Sequence, residues 1–340
     1  MTACLLPAWF ASVTGLGPPV VHYSPVDAAA FTLPAPPSSG KAYPTAPAGF
    51  RHDTPNFTVQ WDDASIAESV AAWVGSNAEE AWSVYVEDDG WTPPPTSDDY
   101  RILVYLTRDL EAAGLATFTS EWGFADGLPI IYINPDYVDY PEYFESVVHH
   151  EFSHTLQFAH RDWYAAGPEE WWYWEASSTW MQTHVRPMSS EYAWISSFYA
   201  DATTADFETV DGGHEYAMYL LNAYLEDWAI GRSGFQSIWM DSSERPWLDE
   251  IERVTGEPAA TTWAKFAGAY VGRKLMHADH LVYPSLDTEP GRIEGRLGAQ
   301  YLQLGMVDGV LTLSEGVGTL VRDETASTFT GRLEIPEGTG

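Results

Sequence analysis

A helical segment near the middle of the chain carries three histidines and a glutamate between apolar residues, at positions where core residues would be expected. The segment reads VVHHEFSHTLQ over residues 147–157. Each helical residue advances about 100°, so His150 and His154 lie about 40° apart on one face and about 6 Å apart along the axis. The flanking aliphatic and aromatic residues predict a buried helix. The chain therefore has to fold around imidazoles that need a partner in its interior.

The spacing His150-Glu151-x-x-His154 predicts a zinc site of the hydrolytic kind. Two imidazoles four residues apart can reach one ion, while Glu151, one step around the helix, can contact a water on that ion. A catalytic zinc takes three protein ligands and leaves the fourth position to water. The sequence must therefore supply one more ligand.

Two residues compete for the third position. His160 follows His150 by ten residues, the spacing of the third histidine in metzincin proteases, but Gln157 stands where those enzymes need glycine. The helix should therefore continue and turn His160 away from the ion. Glu175 lies on a second predicted helix, which a turn at residues 165–168 folds back against the first. Its carboxylate among tryptophans needs a cation, so Glu175 is favoured.

The segments His150-Glu151-x-x-His154 and Trp174-Glu175-Ala176 resemble the gluzincin class of zinc metallopeptidases, the thermolysin-like group, and especially its secreted bacterial members. The resemblance is specific over about residues 128–230. It implies that His150, His154 and Glu175 bind zinc, and that Glu151 activates water and later protonates the leaving amine.

The same resemblance implies further features of the cleft. The strand 130–134 would border it and offer an edge to an extended peptide. Thr179 departs from the family pattern, because thermolysin-like enzymes carry an aspartate there, so the partner of His150 stays open. The segment Gly-x-Met-Glu-Asn of gluzincin aminopeptidases is missing. This absence favours internal cleavage.

The oxyanion of the reaction needs a donor, for which Tyr216 is the favoured candidate. The segment 213–221 is similar to the helix that carries a tyrosine in gluzincin aminopeptidases. His214 and Tyr164 are lesser alternatives. The competing interpretation is that Tyr216 belongs to an apolar core stripe at helical spacing.

The predicted architecture is α+β, a zincin-like metalloprotease domain with a small mixed sheet over active-site helices and a mainly helical C-terminal half. Residues 1–56 are expected to be a Pro-rich leader of the export or propeptide kind, 57–280 the metallopeptidase domain, and 285–340 a small β-rich accessory module. The expected elements are helices at 63–87, 143–160, 169–185, 214–229, 246–256 and 259–275, and strands at 101–107, 115–120 and 129–134.

The composition of the chain limits the kinds of partner it can bind and indicates where the protein is located. The 340 residues carry a formal net charge of −33, which repels nucleic acid and anionic membranes. No apolar run is long enough for an integral membrane segment. The single cysteine excludes an intramolecular disulfide, and Thr2-Ala3-Cys4 resembles the end of a lipoprotein cleavage box. We therefore expect a secreted or cell-surface protein, with a lipid anchor at Cys4 as one form of it.

Together these features predict a secreted zinc endopeptidase that acts on polypeptides. Acidic clusters such as Asp62-Asp63, Glu87-Asp88-Asp89 and Asp98-Asp99 make structural Ca²⁺ a further candidate ion. No twelve-residue calcium loop is present, so solvated turns are the favoured interpretation. The alternative from another class is a catalytically inactive, zinc-containing module that binds a surface or matrix polymer.

Overall fold

The structure is a computed structural model of the chain. It describes residues 41, 49–94, 97–118, 129–161, 170–186, 208–241 and 245–271, together with five strands between 276 and 314. No helix in these ranges combines the length and apolarity that a bilayer crossing requires. Cys4, Tyr164 and most of the predicted leader lie outside the described residues.

A five-stranded mixed sheet forms the first layer, with spatial order β1-β2-β3-β5-β4. The neighbours β2, β3 and β5 run parallel, whereas β1 and β4 pair antiparallel at the two edges. The inner strands read as nearly continuous apolar runs (FTVQW, ILVYL and PIIYI), which is typical of parallel strands covered on both faces. The strands are β1 Phe50–Asp53, β2 Phe57–Trp61, β3 Ile102–Leu106, β4 Gly114–Phe118 and β5 Pro129–Ile133.

Two long helices pack on this sheet, and further helices complete the domain. Helix α1 contacts β1 and β2, α2 contacts β4 and β5, and α3 packs against α2. Short π-helical turns follow α1 and α5 at 83–88 and 225–230, and a 3₁₀ turn spans 135–139. The helices are α1 Glu68–Trp82, α2 Pro141–Gln157, α3 Trp171–Val185, α4 His214–Ala217, α5 Tyr219–Tyr224, α6 Gly231–Met240, α7 Trp247–Thr255 and α8 Ala259–Val271.

Aromatic side chains hold the two layers together. Phe57 on β2 meets Phe152 on α2 edge-on, with ring centroids 5.1 Å apart. On the far side of α3, Trp174 packs edge-on against Trp239, at 4.9 Å, and Trp239 lies 4.5 Å from Trp247. Such aromatic pairs contribute packing beyond their buried area. Helix α3 is thereby fixed between α2 and the C-terminal helices.

Most predicted elements are present, with several differences. Strands β1 and β2 and helix α6 were not predicted, since the segment 231–240 contains two glycines and reads as a breaker. The predicted helix 214–229 is interrupted near Met218 and ends in a π-turn. Strand β1 lies inside the segment predicted as a leader, so the sheet begins before residue 57.

The strand that borders α2 at the edge of the sheet is β4, and the expectation for 130–134 was wrong. Strand β5 (Pro129–Ile133) lies between β3 and β4 and has no open edge. Strand order depends on pairing between distant segments, which the apolar pattern of a single strand does not encode. Any strand pairing with a ligand on this side of the sheet would use β4.

The tail contains short antiparallel pairs. A three-stranded sheet has the order β10-β9-β8, and β6 pairs with β7. The predicted division at residues 280–285 stays a prediction. These strands are β6 Met276–His277, β7 His280–Leu281, β8 Glu294–Leu297, β9 Gln300–Val307 and β10 Val310–Ser314.

Candidate metal centre

Helices α2 and α3 bring two histidines and one glutamate to a common point. Nε2 of His150 lies 3.1 Å from Nε2 of His154 and 2.9 Å from Oε2 of Glu175. The same carboxylate oxygen lies 3.5 Å from Nε2 of His154. One ligand atom from each residue lies within 4.8 Å of the others, so the group could hold a metal ion. The favoured third residue, Glu175, is therefore the one that joins the pair.

Polar contacts at the end of α2 fix its position against α3. Gln157 is buried, and its Nε2 donates to the backbone oxygen of Trp174 at 3.3 Å. The same nitrogen donates to the hydroxyls of Ser177 and Ser178, at 3.1 and 2.9 Å. A backbone carbonyl can only accept, so this contact determines which end of the Gln157 amide faces α3.

The amide of Gln157 also fixes the tautomer of His154. Its oxygen lies 2.8 Å from Nδ1 of His154 and can only accept, so Nδ1 carries the hydrogen. Nε2 of a neutral His154 then presents a lone pair to His150 and Glu175. Metal-binding histidines are commonly oriented in this way by a polar partner behind them.

His150 also has an amide partner, which lies about one helical turn after Thr179, the position at which the family pattern places it. Nδ1 of His150 lies 3.1 Å from Oε1 of Gln182 on α3. Thr179, where thermolysin-like enzymes carry an aspartate, is buried nearby on the same helix. The neutral amides Gln157 and Gln182 were missed by the sequence reasoning. An isolated glutamine carries no signal of such a role until the two helices are paired.

The electrostatics of the group call for a positive charge at its centre. Burial lowers the pKa of His154, but the neighbouring Glu175 carboxylate outweighs it and raises that pKa to about 9. Burial raises the pKa of Glu175, yet the two imidazoles hold it well below its usual range. Two nitrogen lone pairs and a carboxylate repel one another unless a proton or a metal ion lies between them. The donor set therefore fits a cation.

Glu151 lies beside the ligand group without joining it. Its residue surface is only 8% exposed. Burial raises the pKa of its carboxyl, and His150 and His154 partly offset the effect. The backbone N–H of Ala116 on β4 donates to the same carboxylate. A buried carboxyl next to cation ligands has the surroundings expected of a general base.

The other predicted residues fall at different distances from the centre. The ring of Tyr216 lies 5.8 Å from that of His150, centroid to centroid. Burial, with Glu175 and Glu215 nearby, raises the pKa of its hydroxyl well above the usual value. His214 is buried on the same short helix, and burial lowers its pKa to about 4. Tyr216 is thus next to the centre, as expected.

His160, the less favoured candidate for the third ligand, lies away from the candidate metal centre. His160 follows the end of α2, and its ring packs edge-on against Trp91 with centroids 6.4 Å apart. It does not belong to the metal-binding group found among the described residues. This placement agrees with the expectation that the helix carries His160 past the ion.

Glu215 is a further residue that sequence reasoning missed. Its carboxylate accepts hydrogen bonds from the backbone N–H groups of Asp211, Gly212 and Gly213, at 2.9–3.1 Å. Gly212 has φ of +91°, a conformation that favours glycine. Glu215 thereby fixes the loop that leads into Tyr216.

Three residues of the acidic clusters considered for calcium, Asp62, Asp63 and Asp89, pair with protein groups. Asp62 accepts from the hydroxyl of Tyr105 at 2.7 Å, and Asp63 forms an ion pair with Arg108. Asp89 forms ion pairs with two cationic side chains, discussed below. These contacts are typical of ordinary surface and core carboxylates and give no support to a calcium site.

Comparison with known proteins places the chain in a family. Residues 57–261 match a family described as a family of unknown function, DUF6055. The chain belongs to the DUF6055 family. The matched range runs from β2 to the first residues of α8 and includes every candidate ligand of the centre. No curated protein matches the chain.

Proposed function

We propose that this member of the DUF6055 family is a zinc-dependent metallopeptidase that hydrolyses internal peptide bonds of polypeptides in a zincin-like domain. The observation that carries the proposal is the convergence of the His150 and His154 nitrogens with a Glu175 oxygen beside the buried Glu151. Two imidazoles and one carboxylate form the ligand set of the thermolysin-type catalytic zinc site. A site with three protein ligands leaves one position for water.

Zinc is favoured over other cations by the donors. Calcium and magnesium take oxygen ligands in sets of six or more, whereas imidazole nitrogen suits zinc and its neighbours. A bound zinc ion would supply Lewis acidity to a water molecule and to the substrate carbonyl. The partners behind both histidines, Gln157 and Gln182, are neutral amides and add no charge to the site.

The protein groups have distinct roles in the proposed reaction. Glu151 takes a proton from the attacking water and later delivers it to the leaving amine nitrogen. Tyr216, whose ring lies 5.8 Å from that of His150, donates to the carbonyl oxygen as negative charge develops there. Glu215 holds the loop of Tyr216 in place. A secreted or cell-surface location is part of the proposal, in keeping with the acidic composition.

The test compares the full chain with two matched variants. Purified protein is analysed for zinc by mass spectrometry and for hydrolysis of fluorescein-labelled casein. Glu151→Gln should retain zinc and lose nearly all turnover, while Glu142→Gln, at the exposed start of the same helix, should behave like the unmodified chain.

Two outcomes would contradict the proposal. The first is zinc-independent hydrolysis that survives both a chelator and Glu151→Gln. The second is a zinc-loaded chain with no hydrolysis of any protein substrate, which would instead support a polymer-binding module.

A further inference from the structure

Strand β4 approaches helix α2 closely, and Gly114 is the residue at the closest point. A Cβ placed on Gly114 would lie 2.6 Å from Cγ of Glu151 and 2.7 Å from its Oε1. It would also lie 2.6 Å from Cγ1 of Val147. Real Cβ atoms do not tolerate contacts of this length, so any side chain at this position must displace the helix face or the strand.

The hydrogen-bond pattern of β4 leaves one amide row available at this edge. The backbone N–H of Asn134 donates to the oxygen of Ala113 at 2.9 Å, which fixes the phase of the ladder between β4 and β5. Bonded residues alternate in an antiparallel pair, so the amides of Gly114 and Ala116 face the open edge. The N–H of Ala116 donates to the Glu151 carboxylate.

We infer that Gly114 is a positioning residue for Glu151: its missing side chain lets β4 lie close enough for the Ala116 amide to hold the carboxylate. The inference rests on the proposed function, since it assigns a reason for the exact placement of the proposed base. The three atoms nearest to a Cβ at Gly114 belong to Glu151 and Val147, so Gly114 acts through Glu151.

The first experiment is Gly114→Ala in the full chain. A misplacement of a reacting group by about 1 Å can lower rates about 100-fold. We expect kcat on a casein-derived peptide to fall about 10- to 100-fold with KM changed less than about twofold. Zinc content and zinc affinity should stay as in the unmodified chain, because the three atoms nearest to this Cβ belong to Glu151 and Val147 and none belongs to a ligand residue.

The matched control is Gly75→Ala on α1. A Cβ there would lie 2.9 Å from Cγ2 of Thr54, so it introduces a similar helix–strand contact at the other end of the sheet. It should leave kcat unchanged. A drop in kcat of the same size in Gly75→Ala would attribute the effect to general packing and overturn the inference.

A second pair of variants covers the case in which Gly114→Ala folds poorly. Val147→Ala removes the Cγ1 contact, so Gly114→Ala with Val147→Ala retains only the clash with Glu151. We expect kcat of this double variant to stay about 10- to 100-fold low relative to Val147→Ala alone. Recovery to the level of Val147→Ala would show that only the strand–helix contact mattered and would overturn the inference.

The position of Glu151 provides a readout that does not depend on turnover. A crystal structure of Gly114→Ala should show the Glu151 carboxylate moved away from the Ala116 amide, with the three ligand side chains unchanged. An unchanged Glu151 would contradict the inference. Full activity in Glu151→Gln would contradict the proposed function itself. Full activity in Gly114→Ala, combined with loss of activity in Glu151→Gln, would contradict only the positioning role of Gly114.

Discussion

Two buried histidine–carboxylate clusters lie along α3, and they differ in the source of positive charge. In the first, Glu175 faces His150 and His154, and its ion pairs within the described residues are with these two histidines. In the second, His184 lies between Glu226 at 3.2 Å and Asp89 at 3.4 Å. The His184 side chain is only 1% exposed.

The second cluster contains its own permanent cation. Arg232 donates to Glu226 at 2.9 Å and also forms an ion pair with Asp89. The indole N–H of Trp180 donates to Glu226 at 2.8 Å. A guanidinium stays charged at any ordinary pH, so Arg232 supplies a permanent positive charge next to these carboxylates. The histidine and carboxylate side chains of both clusters are at most 18% exposed, so the contrast lies in what balances the carboxylates.

The comparison teaches how the proposed metal centre differs from a structural ion pair. Imidazoles and a carboxylate occur in both, so composition alone does not separate them. In the first cluster amides orient the imidazoles toward a common point, whereas in the second an arginine and a tryptophan satisfy the carboxylates. The following experiments test whether this difference has the consequences that we assign to it.

The largest expected effect is loss of the metal from the first cluster only. Glu175→Ala should abolish zinc binding and hydrolysis, because two imidazoles alone hold zinc weakly. His184→Ala should retain stoichiometric zinc, as should His160→Ala. Elemental analysis of the three purified variants measures this directly. Zinc retained in Glu175→Ala but lost in His160→Ala would reverse the choice of third ligand.

The next effect is a loss of stability, and we expect it to be larger in the second cluster than in the first. His184→Leu removes the imidazole between two buried carboxylates and should lower the free energy of unfolding by about 3 kcal/mol. Urea unfolding of the zinc-free chain measures the change. The matched variant His150→Leu should cost less, because Glu175 keeps the charged His154 as an ion-pair partner. A larger cost for His150→Leu would remove the distinction between the clusters.

A smaller effect is expected from the amides behind the zinc ligands. Gln157→Leu and Gln182→Leu should each weaken zinc affinity about 10- to 100-fold, as loss of such partners does in other zinc proteins. Competition with a fluorescent chelator measures the affinity. Gln236→Leu, which removes a contact to the backbone of Asp89 in the second cluster, serves as control and should leave zinc affinity unchanged.

The smallest effect is a pH window in the stability of the second cluster. Burial opposes charge on Glu226, but His184 outweighs it and lowers the Glu226 pKa to about 2, so its contribution is lost as pH falls from 4.5 toward that value. Burial likewise opposes charge on His184, while Glu226 and Asp89 raise its pKa above 6.5, so its contribution is lost at higher pH.

Both contributions are therefore complete between about pH 4.5 and 6.5. The difference in unfolding free energy between the unmodified chain and His184→Leu, both without zinc, should be largest in this range. Urea titrations at a series of pH values measure it. A difference that stays constant from pH 3 to 9 would mean that the ion pairs of His184 with Glu226 and Asp89 contribute nothing to stability.

The sequence predicts the local part of the site well. His150, Glu151 and His154 share one helix, so their relation follows from helix geometry alone. Glu175 could be predicted as the third ligand because a carboxylate among tryptophans needs a partner and because a turn precedes its helix. Short-range structure and the chemistry of buried charge are therefore enough to predict these four residues.

The remainder depends on contacts between distant segments. Gln157 and Gln182 gain their roles only when α2 and α3 pair, and neither side chain has a distinctive sequence pattern. The edge position of β4 and the close approach of Gly114 require the strand order. Strands β1 and β2 and the glycine-containing helix α6 were missed because tertiary packing overrides weak local signals.

The most direct test of the central claim is a crystal structure of the full chain with anomalous diffraction recorded at the zinc absorption edge. The account predicts one strong anomalous peak about 2.0–2.2 Å from the Nε2 atoms of His150 and His154 and an oxygen of Glu175. A zinc peak bound elsewhere, or zinc-supplemented crystals with no peak between these three side chains, would contradict it.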